Sequence, residues 1–280
     1  MQMRIKWPRP LSLRNQGELS LFFVGCGSAF ARSNYQNNLL IIHGNDHVMV
    51  DCGTRTPQAL DQLGLRVIDI RNWLITHSHA DHIGGLEEVM LMNRYGGGPG
   101  KPTVAITAGY QRLLWGRSLR GGAEMNETRD GLSFEDFWQV KRPKRIRGLP
   151  RNAALVRFGA IELLLFRTRH LPEHALDWRD SFYSVGMIIN QRVLFTGDTQ
   201  FDPQLLHIFQ ELYDIDTIFH DVQFFRGGIH APLDDLLTLP QSTRNKIILM
   251  HYPDNWKNHQ QRAEQAGMSF ARQHCFYNFG

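Results

Sequence analysis

Apolar and polar positions along this chain come in short alternating blocks. Residues 19–24, 38–43 and 48–50 read as strands, with Gly44-Asn45-Asp46 as a hairpin turn between the last two. Residues 57–63 carry a helical pattern, and an apolar strand at 73–76 runs into a histidine-rich loop. Ile83, Leu86, Val89 and Met90 recur at helical spacing, which predicts a helix over 83–92. A strand at 103–107 and a helix at 110–117 follow, and 118–152 reads as irregular and basic. Strands then recur at 154–158, 161–166, 183–190 and 193–196. A helix at 203–212, a strand at 217–219, a short helix at 233–239, a strand at 246–250 and a last helix at 260–266 complete the pattern. Strands and helices thus cluster in two similar halves. That order predicts two facing sheets with helices outside, an αββα sandwich, although periodicity alone fits other α/β folds. No repeat or low-complexity linker divides the chain, so 1–280 is expected to form one domain.

Composition narrows the class. Of 280 residues, 42% are apolar, which suits a packed globular protein and excludes disorder and collagen-like repetition. Cys26, Cys52 and Cys275 show no CxxC spacing and are too few for a disulfide scaffold. No apolar run approaches the roughly 20 residues of a membrane-spanning helix. Arg4, Lys6, Arg9 and Arg14 ahead of 19–24, with Ala29-Phe30-Ala31 beyond, imitate a secretion signal, but the apolar stretch is short and Glu18 abuts it. A cytoplasmic protein is expected. The net charge of +4 permits an anionic substrate without demanding nucleic acid. The 13 His stand out beside 3 Cys, since imidazole is the commonest metal ligand and a frequent acid–base group.

Position decides what those histidines mean. Thr76-His77-Ser78-His79-Ala80-Asp81-His82-Ile83-Gly84-Gly85 sets His77, His79, Asp81 and His82 between a strand and a helix. On leaving a strand, residues i and i+2 share a face, so His77 and His79 aim at one point. Asp81 and His82, on the turn into the helix, aim at a second. Imidazole and carboxylate donors suit Zn²⁺, with Mn²⁺ or iron also compatible. Gly84 and Gly85 let the helix pack close behind the loop. One cluster cannot close two metal sites. His170, Asp198 and His251 each stand at the exit of a predicted strand, where a rigid sheet fixes functional groups.

Together these residues resemble the ligand set of the metallo-β-lactamase superfamily, over about residues 19–251. The RNase Z-like phosphodiesterase branch is the nearer match. Gly25-Cys26-Gly27-Ser28-Ala29 resembles that branch's opening Gly-x-Gly-Ser-Ala turn, and Asp51-Cys52-Gly53 its Asp-Cys-Gly segment. Phe219-His220-Asp221 resembles its His-Glu element with Asp in place of Glu, and His230-Ala231 lies where the branch carries His-Ser/Thr. The resemblance implies the αββα metallo-β-lactamase fold and two divalent metal ions, zinc first, with manganese or iron as alternatives. His77, His79 and His170 would hold one ion, Asp81, His82 and His251 the other, and Asp198 would bridge them. His230 would face the scissile phosphate, with Asp221 orienting it at a reach one methylene shorter than Glu. On this reading Asp81, His230 and Asp221 are the catalytic residues of a metal-activated hydroxide attack on phosphorus. Asp81 ligates and accepts the water's proton, and His230 protonates the leaving alkoxide. His220 is either a supporting partner of the site or a buried histidine satisfied by backbone.

The branch divides by substrate. Its tRNA-processing members carry a long arm in the hairpin between the third and fourth ligand motifs, where Asn190-Gln191-Arg192 here reads as a tight turn. A small phosphodiester such as a cyclic nucleotide is therefore expected first. An RNase Z-like ribonuclease acting at tRNA 3′ ends, or another nuclease, comes second, and a lactonase or thioesterase third. The nucleic-acid reading rests on Lys141, Arg142, Lys144, Arg145 and Arg147 within 93–152, a stretch expected to be a basic loop, a lid or a subunit contact. Phe134, Phe137 and Trp138 would form a stacking platform there or anchor the loop. Residues 96–100 are expected as a flexible loop beside the site. Phe224, Phe225 and Arg226 are placed to line the pocket for a base. Branch members are often dimers, which extends the expectation to a homodimer. His43 and His47 are expected at an exposed turn, His207, His259 and His274 as structural or solvated, and His174 near the pocket. Cys26 and Cys52 read as small packed residues.

Overall fold

The apolar blocks become strands buried on both faces. The computed structural model describes residues 1–4, 9–127 and 129–280, so Lys6 of the N-terminal cation cluster lies outside the described residues. One sheet contains β1 (Gln2–Arg4), β2 (Leu19–Gly25), β3 (Asn38–His43), β4 (Asp46–Val50), β5 (Asn72–Leu74), β6 (Thr103–Ala105) and β7 (Gln139–Lys141). The other contains β8 (Lys144–Ile146), β9 (Ala153–Phe158), β10 (Ile161–Arg167), β11 (Val185–Ile189), β12 (Val193–Phe195), β13 (Thr217–Asp221), β14 (Ile247–Met250) and β15 (Ser269–Phe270). A final strand, β16 (Cys275–Phe279), returns to the first sheet between β1 and β2. The order is β1-β16-β2-β3-β4-β5-β6-β7 in one sheet and β15-β14-β13-β12-β11-β10-β9-β8 in the other. Each sheet is mixed: β4 to β7 and β12 to β15 are parallel, and the remaining pairs are antiparallel.

The strand side chains alternate between two apolar layers. Leu21, Phe23, Leu39, Ile41 and Val48 join Leu163, Met187, Phe195 and Phe219 in the layer between the sheets. The Phe23 and Phe219 rings meet there at 5.0 Å. Phe22, Leu40, Met49 and Trp73 face outward onto Leu60, Leu86, Val89 and Met90 of the covering helices. On the opposite side the helix Pro203–Leu212 lays Phe209 against Phe166, ring centroids 4.3 Å apart. Burial on both faces is why these strands read as continuous apolar runs. The expected αββα metallo-β-lactamase sandwich is the observed architecture. Among the described residues, no helix is long and apolar enough to cross a membrane.

Several sequence expectations need correction. The helix expected over 83–92 is two, Ala80–Ile83 and Leu86–Tyr95, broken where Gly84 and Gly85 press against Cys52, Gly53 and Thr54 in the loop after β4. The stretch 118–152 is not irregular. It contains the helices Arg120–Ala123 and Phe134–Phe137, then β7 and β8. Lys141 closes β7, and Lys144 and Arg145 lie in β8, so the basic run crosses from the edge of one sheet to the edge of the other. Phe134, Phe137 and Trp138 are buried and anchor this crossing, which excludes a stacking platform. Residues 96–100 lie away from the site. They lead into the N-terminal end of β6, where Arg71 donates to the Gly100 and Lys101 carbonyls at 2.8 Å, whereas the histidine loop leaves the C-terminal end of the parallel neighbour β5.

Candidate metal centre

Five strand ends of the two sheets converge on one point. From the first sheet, the loop leaving β5 is tied down at both ends. The Thr76 N–H and hydroxyl each donate to the Asp51 carboxylate at 2.7 Å, and the Cys52 N–H donates to the His82 carbonyl at 2.7 Å. The glycines make this closeness possible. A Cβ on Gly84 would stand 2.3 Å from Thr54 Oγ1, and one on Gly85 2.7 Å from Cys52 Sγ. From the second sheet, His170 follows β10, Asp198 follows β12 and Asp221 ends β13. His251 follows β14 at φ 56°, a left-handed turn that reverses the chain at the site. The Val185 N–H joins the two sides by donating to the Thr76 carbonyl at 3.2 Å.

Two donor sets result. His77, His79, His170 and Asp198 each place a donor atom within 4.8 Å of the others, and so do Asp81, His82, Asp198 and His251. Asp198 belongs to both. In the first set His77 Nε2 and His170 Nε2 lie 3.0 and 3.3 Å from His79 Nδ1. In the second, His82 Nε2 lies 3.2 Å from both Asp81 Oδ2 and Asp198 Oδ2, and His251 Nε2 lies 3.1 and 3.3 Å from the same two oxygens. Ligands held about 2.0–2.1 Å from one tetrahedral ion stand about 3.3 Å apart, so these spacings fit two divalent ions. The orphaned atoms fit as well. Both Asp198 oxygens and His82 Nε2 are buried with no hydrogen-bond partner, lone pairs that an ion would satisfy.

The outward ring atoms set the tautomers. His82 Nδ1 donates to Asp51 Oδ2 at 2.7 Å and His170 Nδ1 to the Ile229 carbonyl at 2.9 Å, which leaves each Nε2 lone pair facing the site. Burial holds His77 well below the usual imidazole range and His170 down to about 4, so both are neutral donors at neutral pH. Burial also opposes charge on His82 and His251, but Asp198 and Asp81 outweigh it and hold both rings above the usual range. In return His82 and His251 keep Asp198 and Asp81 ionised against the burial that opposes it.

A third group adjoins the donors. His230 Nδ1 donates to Asp221 Oδ2 at 2.9 Å, so the shorter Asp reaches. Asp221 is fully buried and also accepts from the Thr199 N–H at 3.1 Å. His220 is buried; its Nδ1 donates to the Asp221 carbonyl at 2.8 Å and lies 3.2 Å from Asp221 Oδ1. It therefore has both proposed characters, backbone-satisfied and adjacent to the pair. His230 is 19% exposed and faces a cavity of about 450 Å³ shared with His251 and Phe225. A neighbouring opening of about 610 Å³ reaches His79, Asp81 and Arg55.

Other expected residues lie elsewhere. Phe224 stacks on His259 at 4.1 Å, and Arg226 lies 3.7 Å from Asp234. His174 is exposed and lines neither opening. His207 is exposed beside Glu211, 3.3 Å away. His43 and His47 are half-buried rather than exposed: His43 Nδ1 lies 3.1 Å from the Ala160 carbonyl, and His47 Nε2 accepts from the Arg71 N–H at 3.0 Å. Cys26 and Cys52 are buried, and the Cys26 thiol lies 3.0 Å from the Tyr252 hydroxyl. Sequence reasoning missed Asp51 as the partner of His82 and Phe30 as a cavity residue. An Asp directly after an apolar strand was the available signal for the first.

Fold and donor set together define a metal-dependent hydrolase of the metallo-β-lactamase class. The metallo-β-lactamase-fold protein YhfI from Bacillus subtilis superposes with a TM-score of 0.66 at 13% identity, covering 94% of this chain and 100% of that one. Yeast PDE1 gives 0.63 at 12% identity over 94% and 100%, and human short-form tRNase Z 0.60 at 15% over 92% and 98%. At these identities the likeness is one of fold. Family membership comes from sequence: the family model for Anti-Pycsar protein Apyc1 matches residues 19–277, and the chain belongs to that family. The Anti-Pycsar protein Apyc1 of Bacillus phage BSP38 is 35% identical over 238 residues, 84% of this chain and 89% of its own. That of Paenibacillus harenae is 37% identical over 245 residues, 85% and 92% of the two chains.

Proposed function

We propose that this chain is a phosphodiesterase that hydrolyses a small phosphodiester, a cyclic nucleotide first among them. One observation carries the reading: two donor sets share Asp198, and the His230–Asp221 pair stands at their open side. Zinc is the ion assigned to the imidazole-rich sets, with manganese and iron compatible; a bound ion pair would clamp a phosphoryl group and acidify water. His77, His79 and His170 would hold one ion and Asp81, His82 and His251 the other, with Asp198 in reach of both. Asp81 takes up the proton of the attacking water. His230 delivers the proton on the ring edge away from Asp221 to the leaving alkoxide as the ester P–O bond breaks. Asp221 fixes the proton on His230 Nδ1 and steadies the charged ring. The donors come from both sheets, which supports reading 1–280 as one domain.

The compact turn at Asn190 and Gln191, both at positive φ, supports a small substrate over tRNA. A panel tests this: cyclic nucleotides, bis(p-nitrophenyl) phosphate, a tRNA precursor and a lactone offered to the zinc-loaded chain. Turnover of the cyclic nucleotides is expected. Cleavage of the precursor alone, at the tRNA 3′ end, would replace the reading with an RNase Z-like one, and turnover of the lactone alone with a lactonase.

A further inference from the structure

Two aromatic rings at the mouth of the site are left exposed by the packing. Phe30 is 89% exposed and Phe225 64%; a single exposed apolar residue is ordinary, but these two share the rim of one cavity. Both line the cavity that holds His230 and His251, and Phe30 also lines the neighbouring opening onto His79 and Asp81.

Neither ring sits on a slack loop. The Asp254 carboxylate accepts from the Arg32 N–H at 2.8 Å, the Ser33 N–H at 3.0 Å and the Ser33 hydroxyl at 2.5 Å. Arg55 donates to the Ala31 carbonyl at 3.1 Å from the other side. The Phe225 loop is organised by buried Gln223, whose side-chain amide donates to the Phe225 carbonyl at 3.0 Å and to the Gly227 carbonyl. The Gly228 N–H donates to Glu173 at 2.6 Å. A Cβ on Gly228 would stand 3.4 Å from the Phe225 ring, so that ring lies against bare backbone.

We propose that Phe30 and Phe225 form a preorganised stacking platform for the nucleobase of a nucleoside phosphodiester, an inference that rests on the phosphodiesterase reading above. The donor sets and His230 supply a polar floor for the phosphate. The rim supplies flat apolar faces within the same cavity. Ala29, Ala31 and Ile229, which line that cavity too, carry no side-chain hydrogen-bonding group; of the polar lining, the Gln223 amide nitrogen and the Asp254 carboxylate are engaged by backbone, and Ser28 adds a hydroxyl. Stacking holds a base by its face, which suits purines and pyrimidines alike. Because the loops are already ordered, stacking forfeits little conformational entropy.

The test compares cyclic AMP, cyclic CMP and a base-free ribose 3′,5′-cyclic phosphate on the zinc-loaded full chain. Stacking measured by alanine substitution corresponds to about 5- to 150-fold per base. Wild type is expected to prefer cyclic AMP over the base-free ester by a factor in that range, chiefly through KM. Phe30→Ala and Phe225→Ala are expected to raise KM for cyclic AMP with little change in kcat, and the double variant to bring the preference near one. Phe30→Trp is expected to restore it. Variants with wild-type KM for cyclic AMP would overturn the platform, as would turnover of the base-free ester without any preference for a base. Calorimetric binding of AMP separates failure of the reaction from failure of the platform. AMP binding weakened by Phe30→Ala in a protein that turns over no phosphodiester would reject the reaction and keep the platform. No AMP binding to wild type would reject the platform.

Discussion

Asp51→Asn is the sharpest test of how the metal ligands are held. Asp51 sits at φ 65°, and Asn is the substitution that tolerates this left-handed backbone while matching the side chain in shape. Its carboxylate accepts from the Thr76 N–H on Oδ1, and from the Thr76 hydroxyl and His82 Nδ1 on Oδ2, all at 2.7 Å. An amide has two ways to fit. With its oxygen kept on the Thr76 N–H, its NH₂ faces His82 Nδ1, which must become the acceptor. The His82 proton then moves to Nε2, the atom that lies 3.2 Å from Asp81 and from Asp198. With the amide flipped, its NH₂ meets the fixed Thr76 N–H, donor against donor. The first arrangement puts a proton on the nitrogen that faces the metal site, and the second leaves the buried Thr76 N–H unsatisfied, at about 1–3 kcal/mol. That agrees with the roughly 10–100-fold loss of metal affinity, about 1.4–2.7 kcal/mol, typical of losing an outer partner of a ligating histidine. The assay is a zinc titration of metal-free protein against a competing chelator, with circular dichroism to establish that the variant is folded. Folded Asp51→Asn protein that binds zinc within twofold of wild type at both sites would refute the tautomer argument.

Three further outcomes follow from the same geometry. Asp198→Ala removes a donor from both sets, so metal content by elemental analysis is expected to fall and activity to be lost. His230→Ala is expected to keep its metal while kcat falls on the order of 10²–10⁴-fold; an unchanged kcat would remove His230 from proton transfer. Asp198 and Asp81 hold His82 well above the usual imidazole range without ions and raise His251 in the same direction, so a metal ion competes with protons at these rings. Zinc binding should then release protons near pH 7 and tighten as pH rises, seen as a heat that depends on the ionisation enthalpy of the buffer; identical heats in two buffers would contradict it.

The donors that the structure brings together were legible because each is chemistry placed at the end of an apolar strand. His77, His79, His170, Asp198 and His251 could be picked out without knowing how the strands pair. What escaped depends on pairing or on loop conformation. The Asp51 bond to His82 spans 31 residues and needs a left-handed turn. β7 and β8 are short and charged, as edge strands tend to be, and on paper they look like loop. The glycines at 96–100 follow the ligand loop in sequence, but the 10-residue helix Leu86–Tyr95 carries the chain about 15 Å away first. β16 was missed although Cys275-Phe276-Tyr277 is apolar, because its partner β2 lies at the other end of the sequence. Phe30 was read only as part of an imitation cleavage site, since nothing in an isolated Phe tells a rim from a core.

The loop bearing Phe30 is laced to the turn that bears His251. The Ser28 N–H donates to the Tyr252 carbonyl at 3.0 Å, the Tyr252 N–H to the Cys26 carbonyl at 3.3 Å, and Asp254 clasps Arg32 and Ser33. A lineage therefore cannot move this ring without disturbing His251, a donor of the proposed metal site. Phe225 is tied less directly: its loop is anchored on Gln223 and Glu173, and only its far end, at the Ile229 carbonyl, meets His170. If selection retunes the family for different substrates, drift should collect first on the Phe225 side, while the Phe30 side is inherited with the donor sets.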